Sequence, residues 1–352
     1  MTTSTAEISA LGMPVEVRKI GGELKKLWCQ GDEKMSRASL MNLAVYSEAP
    51  GSLEQNTHLV AEIALEHACR ALVITADANA LSENVDAWIS AHCHVSRAGN
   101  KQICSEQLSF LLAGPSARLL PNIIFSHLDT DLPLHLWWQG EFHDPMDAQL
   151  WSWVDRLVYD SRDWSDFDEQ MRLVEDAQQD AKQRVVLCDL NWARLLKLRL
   201  AIAQFFDSPA ALERLRAIER VEIDYAPGAR STALLLVGWL AAQLRWKVAG
   251  SDSQDVKFNA ANGKAVAVRL REVDGASISR CSSLGGEMEW RVTRIAGGEL
   301  LDATVLIGGS KQMQQLLPAG EDGLAQLMSA ELMRGGPHHV YLRAVEVMRK
   351  IL

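Results

Sequence analysis

Carboxylates, an arginine and indoles gather where this sequence reads as strand ends. RALVITAD closes on Asp77, LHLWW runs into Gln139-Gly140-Glu141, and RLVY runs into Asp160-Ser161-Arg162 with Trp164 close behind. In an open α/β sheet, ligands sit beyond the carboxyl ends of the strands. If these strands are parallel neighbours, one rim collects all of these groups. Glu141, Asp155 and Asp160 could then serve as general acid and base, although such work needs a geometry that sequence does not contain. Trp and Arg are equally the anchors of protein interfaces. A third reading, just as compatible with the residue types, is that they cap helices and pair with one another.

A metal site has one candidate, His92-Cys93-His94 with Cys104, because imidazole and thiolate are the ligands zinc prefers. Strand alternation turns His92 and His94 away from Cys93, so the expected metal content is none. Cys93 and Cys104 form a possible redox pair across a hairpin, weighed against two buried thiols in a reducing compartment. No GxGxxG follows a strand, no GxxxxGK[ST] occurs, and neither GxSxG nor HExxH is present. Nucleotide and common hydrolase chemistry thus lack their usual sequence support, and no cofactor is expected.

The elements that would position these groups follow from periodicity. VEVRKIGGELKKLW (15–28) has helical spacing, weakened by Gly21 and Gly22. A strand at 39–46, a helix at 57–69 and a strand at 70–77 predict a sheet with parallel strands and packed helices. AWISAHCHV and QICSEQLSF flank the turn-like RAGN, which predicts an antiparallel hairpin. Its alternation sets Cys93 opposite Cys104, Ile89 opposite Leu108 and Ala87 opposite Phe110. In LPLHLWW the positions Leu132, Leu134, Leu136 and Trp138 share one face, so Trp138 is expected in the core and Trp137 on the other side. The stretch DWSDFDEQMRLVEDAQQDAKQR reads as a solvated helix joining two domains, and Asp189 as an N-cap. The last hundred residues alternate as strands at VKFNA, AVAVRLREV, EMEWRVTRI and DATVLIG, before helices at GLAQLMSAEL and VYLRAVEVMRKIL.

The fold class expected is therefore α/β. It has an N-terminal mixed, largely parallel sheet with flanking helices, and a C-terminal α+β domain with an antiparallel sheet. The expected divisions are a helical segment at 1–36, an α/β domain at 37–165 and the α+β domain at 166–352. Two domains suit 352 residues, since single cores stop growing at roughly 250–300. A formal net charge of -9 without dense Lys or Arg runs argues against nucleic acid and anionic membranes as partners. No apolar stretch approaches the roughly 20 residues of a membrane helix, and MTTSTAEISA lacks a signal peptide layout, so the expected location is cytoplasmic.

Three stretches, DLPLHLWWQGE, DRLVYDSRDW and LCDLNWARLLKLR, occur in an order that resembles the glucose-6-phosphate dehydrogenase assembly protein family, OpcA. SRASLMNLAVYSE, HACRALVITAD, AHCHVSRAGNKQICSEQLSF and GPSARLLPNII extend the resemblance, which runs from about Val15 to Trp246. Beyond it, only the general strand and helix organisation is similar. The resemblance implies a non-catalytic partner of glucose-6-phosphate dehydrogenase that favours its active oligomeric form, at the entry to the oxidative pentose phosphate pathway. In some members of the family the effect is linked to thiol redox state. Trp137, Glu141, Arg156, Asp160, Arg162, Trp164 and Trp192 are then a candidate cluster, either partner-binding or fold-defining. The competing reading is an enzyme or ligand sensor that holds a sugar phosphate at the strand-end rim.

Overall fold

The computed structural model describes residues 11–29, 35–95, 102–144, 146–182, 185–207, 209–252, 255–320 and 322–352. The turn of the predicted hairpin lies outside the described residues. Two sheets organise the chain. The first contains β1 (Met13–Val15), β2 (Met35–Arg37), β3 (Asn42–Ser47), β4 (Arg70–Asp77), β5 (Asn84–Val95), β6 (Gln102–Ala113), β7 (Leu134–Gln139), β8 (Val154–Tyr159) and β9 (Val186–Asp189). Their spatial order is β1-β5-β6-β4-β3-β7-β8-β9, with β2 beside β6. The run β6-β4-β3-β7-β8 is parallel, and β5 and β1 extend it antiparallel.

Parallel strands need crossover segments, and those segments cover the faces of the sheet. Accordingly β3 is buried at all six positions and β4 at six of eight. The helix Ser52–Glu66 crosses from β3 to β4, burying Val60, Ile63 and Ala64. The hairpin register is the expected one, Cys93 opposite Cys104, Ile89 opposite Leu108 and Ala87 opposite Phe110. Cys93 and Cys104 are joined as a disulfide.

The second sheet contains β10 (Arg220–Tyr225), β11 (Lys247–Ser251), β12 (Asp255–Asn259), β13 (Ala265–Glu272), β14 (Ile278–Gly285), β15 (Met288–Arg294), β16 (Leu300–Ile307) and β17 (Ser310–Pro318). Their order is β11-β12-β13-β10-β14-β15-β16-β17, antiparallel except for the β10–β13 pair. β11, β14 and β17 were not among the expected strands. β14 carries Ser and Gly, and β17 is polar and exposed along nearly its whole length. One face is apolar, with Val221, Val268, Cys281, Trp290 and Val292 buried. The helix Leu196–Gln204 packs on β15 and β16, and Arg230–Leu244 on β10. The latter helix also approaches His339–Arg349 so closely that a Cβ on Gly238 would strike the Ala344 carbonyl.

The opposite face is charged and lies in rows. One row runs Asp255, Arg269, Glu222, Ser282, Arg291, Thr304 across six strands. A second runs Arg271, Asp224, Arg280, Thr293, Asp302, and a third Lys257, Ala267, Arg220, Leu284, Glu289, Leu306.

The division into compact units differs from a single boundary at 165/166. One unit contains the chain up to Asp160, then Glu169–Cys188 and Gly323–Gly336; the other contains Ser161–Asp168, Asp189–Asp322 and Pro337–Leu352. The cause is pairing: β9 completes the first sheet, and the helix Leu324–Leu332 packs on Ser52–Glu66. The N-terminal segment is also not purely helical. Met13–Val15 is an edge strand on β5, and the helix begins only at Ile20. Among the described residues, no helix is long and apolar enough to cross a membrane.

Candidate functional site

β3 has β4 on one side and β7 on the other, so the chain changes direction there. The crevice at its carboxyl end is where such folds bind ligands. In this chain the crevice is filled by side chains bonded to each other. Asn56 and Gln139 exchange amide hydrogen bonds of 2.9 and 2.8 Å. The hydroxyls of Ser52 and Thr75 lie 2.9 Å apart. Between β3 and the helix, Glu48 accepts from the Tyr46 hydroxyl at 2.7 Å and lies 3.4 Å from His143. Burial and this carboxylate push the Tyr46 phenol well above its usual range. A phosphate placed here would meet a carboxylate and satisfied amides, the reverse of an anion cradle.

Two pockets stand out elsewhere. A groove of about 510 Å³ beside β1 is lined by Glu16, Glu23 and Asp86 with one cation, Lys19. Another of about 460 Å³ is apolar, formed by residues such as Phe206, Trp239, Leu240 and Leu244 with Gln243 and Ser283 as polar groups. Neither offers the clustered cations that a sugar phosphate requires.

The seven candidate residues do not form one surface. In the first unit Trp137 is 1% exposed, its strand flanked by Val45 and Val158. This reverses the expected assignment of the two indoles. Trp138 is the half-buried one, stacked near Tyr46 and Phe142, with its Nε1 donating to the Glu141 carbonyl at 3.1 Å. β7 is covered on both sides, so alternation does not separate core from surface.

Arg156 is buried. Its guanidinium donates to Cys188 Sγ at 2.9 Å and to the Arg334 carbonyl at 2.8 Å. Glu331, fully buried, pairs with Arg334 at 2.8 Å and accepts from the Cys188 thiol. Burial pushes that thiol up to about 12, with Glu331 adding to the rise and Arg156 opposing it. A thiol held neutral in this way is a poor nucleophile. Asp160 and Glu141 are half-buried.

In the second unit Trp164 and Trp192 are buried, and Arg162 is half-buried beside Asp163 at 3.1 Å. Trp164 packs on Phe167. Trp192 lies against Tyr341, with the Arg199 guanidinium stacked 3.4 Å from its ring centre.

The residue that organises these motifs is Asp189, which sequence reasoning named only as an N-cap. Asp189, 1% exposed, accepts from the Ser161 amide at 3.0 Å and hydroxyl at 2.7 Å, from the Asn191 amide at 2.9 Å and from the Tyr341 hydroxyl at 3.2 Å. Asn191 in turn accepts from the Thr232 hydroxyl at 2.6 Å. The N-cap signal at Asp189 was legible; its reach to Ser161, 28 residues earlier, was not. The stretches YDSRDW and CDLNW are therefore bonded to each other. Buried, satisfied networks of this kind specify a core.

In the hairpin, His92 Nε2 lies 2.8 Å from Gln107, and Cys93 is bonded to Cys104. Cys69, Cys188 and Cys281 are buried free thiols, and burial pushes each up to about 12.

Both domains described for the glucose-6-phosphate dehydrogenase subunit family, OpcA, match the chain: the N-terminal domain over residues 60–176 and the C-terminal domain over residues 185–345. An OxPP cycle protein OpcA of Nostoc punctiforme is 33% identical over 53% of this chain and 40% of its own length. One of Synechocystis sp. is 24% identical over 82% of this chain and 65% of its own. The chain thus spans about half the length of these relatives. Among solved structures, an aldose-aldose oxidoreductase from Caulobacter crescentus has a TM-score of 0.48 at 9% identity, covering 88% of this chain and 96% of that one.

Proposed function

The chain belongs to the glucose-6-phosphate dehydrogenase subunit (OpcA) family, and from that premise we propose that it binds glucose-6-phosphate dehydrogenase and favours its active oligomeric form. The observation that carries the reading is the pair of family matches, which extend through both halves of the chain. The filled crevice at the carboxyl end of β3 supports a non-catalytic role, because Asn56, Gln139 and Glu48 are held by partners where a nucleotide phosphate would sit. An assembly factor needs no chemistry of its own. It binds one conformation or oligomer of its partner more tightly than another and shifts the equilibrium by that difference alone. A 100-fold preference corresponds to about 2.7 kcal/mol. The setting that fits is the cytoplasm and the oxidative pentose phosphate pathway.

The buried state of Trp137, Arg156, Trp164 and Trp192 supports a fold-defining role for those four, with contact to the enzyme made by exposed surface. Mixing purified chain and dehydrogenase tests the proposal by activity and by oligomer mass, each in reduced and oxidised buffer. The expected result is a complex with raised activity. Absence of both at micromolar concentration in either buffer overturns it. A thermal-shift screen with phosphorylated sugars and nicotinamide nucleotides, run without the enzyme, checks the competing ligand reading, since a native-state ligand raises apparent stability. No shift is expected.

A further inference from the structure

We propose that the charged face of the second sheet is the contact between two copies of this chain, a reading that goes beyond the dehydrogenase partnership and does not depend on it. Part of the face reaches solvent: the side chains of Arg269 and Arg271 are 57% and 46% exposed, while Ser282, Thr304 and Asp224 are buried. Its three rows hold six basic and five acidic side chains, alternating in sign from Asp255 through Arg269 to Glu222 and from Arg271 through Asp224 to Arg280. The chain as a whole carries -9, so most approaches of one copy to another are repulsive. This face is nearly neutral, and Arg269, Glu222, Arg271, Asp224 and Arg280 each have an opposite charge one strand away.

A two-fold interface must be self-complementary, because the same patch meets itself. Balanced alternation meets that requirement, whereas a single-signed patch would select a different molecule. The charges are also already held in place, which limits the entropy lost on docking. Arg271 grips Asp224 with bonds of 2.8 and 3.1 Å, Arg280 reaches Asp224 at 2.9 Å, and Arg291 grips Glu289 at 2.8 and 2.9 Å. At the β17 end the face continues through Lys311, Gln314 and Leu316, the last 55% exposed and paired to Asp302 in register.

The area is adequate. Six strands at about 4.8 Å spacing and about six residues at 3.3 Å rise give roughly 600 Å² per copy. That is the lower end of standard interfaces, so a weak dimer with a dissociation constant on the order of micromolar is expected.

Sedimentation of the purified full-length chain without the dehydrogenase, from about 1 to 100 μM, tests the proposal. Mass should rise from one copy to two. Thr293→Trp places a bulky ring in the second row of the face, between Arg280 and Asp302, and Leu316→Arg adds an unbalanced charge. Each should raise the dimer dissociation constant at least about tenfold with an unchanged circular dichroism spectrum, while Leu342→Arg on a helix of the same unit should not. If a face variant is misfolded by that spectrum, the other decides. A chain that stays monomeric to 100 μM overturns the proposal, as does a dimer indifferent to both folded face variants. Loss of dehydrogenase binding in Thr293→Trp from a wild-type chain that never dimerises would assign the face to the enzyme instead.

Discussion

β4 and β13 are each eight residues long, yet they solve different problems. RALVITAD lies in a parallel sheet covered on both faces and buries six residues in succession. AVAVRLRE lies in a sheet with one open face and alternates exposed with buried. The same contrast separates the surroundings of the first sheet from the charged face of the second. In the first, polar groups such as Arg156, Glu331 and Asn56 are buried and must find partners inside. On the latter, Arg269 and Arg271 reach solvent, where their pairs are screened. A buried polar contact is costly to break, and an exposed one is not.

The sharpest way to break that contrast is at Trp137. Trp137→Ala should destabilise the protein by about 3–5 kcal/mol, because a large indole leaves a cavity between covered strands. Trp153, 50% exposed, should tolerate the same change with a small fraction of that loss. Urea denaturation of both variants measures the difference, and equal midpoints would erase the distinction between covered and open surfaces.

Next in size is Arg156→Ala. It strands the Arg334 carbonyl and removes the cation beside Cys188 and Glu331, at about 2–4 kcal/mol. Reaction of Cys188 with a thiol reagent should become faster as local opening becomes easier. Stability close to wild type would mean that the buried network carries little energy.

A pH dependence separates the units more finely. Burial, aided by the Arg156 cation, lowers His135 to about 4, and burial also lowers His67 and His127. In the unfolded chain a histidine titrates near 6.5. Between those values the unfolded chain binds the proton that the folded chain refuses, so stability is complete above about pH 6.5 and declines as pH falls toward 4. The decline from His135 should be on the order of 1–2 kcal/mol, discounted because the ring is only half-buried. Urea midpoints at pH 7.5 and 5.0 should converge in His135→Gln relative to wild type.

The smallest effect belongs to the open face. Arg291→Ala breaks a bidentate pair with Glu289 but should cost less than about 1 kcal/mol, because solvent screens it. A loss as large as that of Arg156→Ala would indicate that this face is covered in solution.

Much of this architecture was legible in the chain. The hairpin register followed from alternation, since Ile89 and Leu108 had to meet on one side, and RALVITAD marked β4 residue for residue. The second sheet was legible where strands alternate, at β13 and β15, and illegible where they do not. β14 sits in the middle of that sheet but is rich in Ser and Gly, and β17 has so little burial that no pattern is written into it. The assignment of Trp137 and Trp138 failed for the opposite reason: a strand covered on both faces gives period two nothing to distinguish. The candidate cluster was legible as a set of motifs but not as a place. Ser161 and Asp189 meet through a fold that brings together residues 28 apart, and spacing alone does not reveal such a bond.

The first sheet also sets a clock. Its ninth strand is made of residues 186–189, and the helix that covers Ser52–Glu66 ends at Leu332. At a synthesis rate of about 5–20 residues per second, roughly 9–35 s separate the emergence of Asp160 from that of the covering helix. Throughout that interval the helix Ser52–Glu66 is without the segment that packs on it. The order of segments along the chain therefore makes Gly323–Gly336 the last part of the first unit to be synthesised.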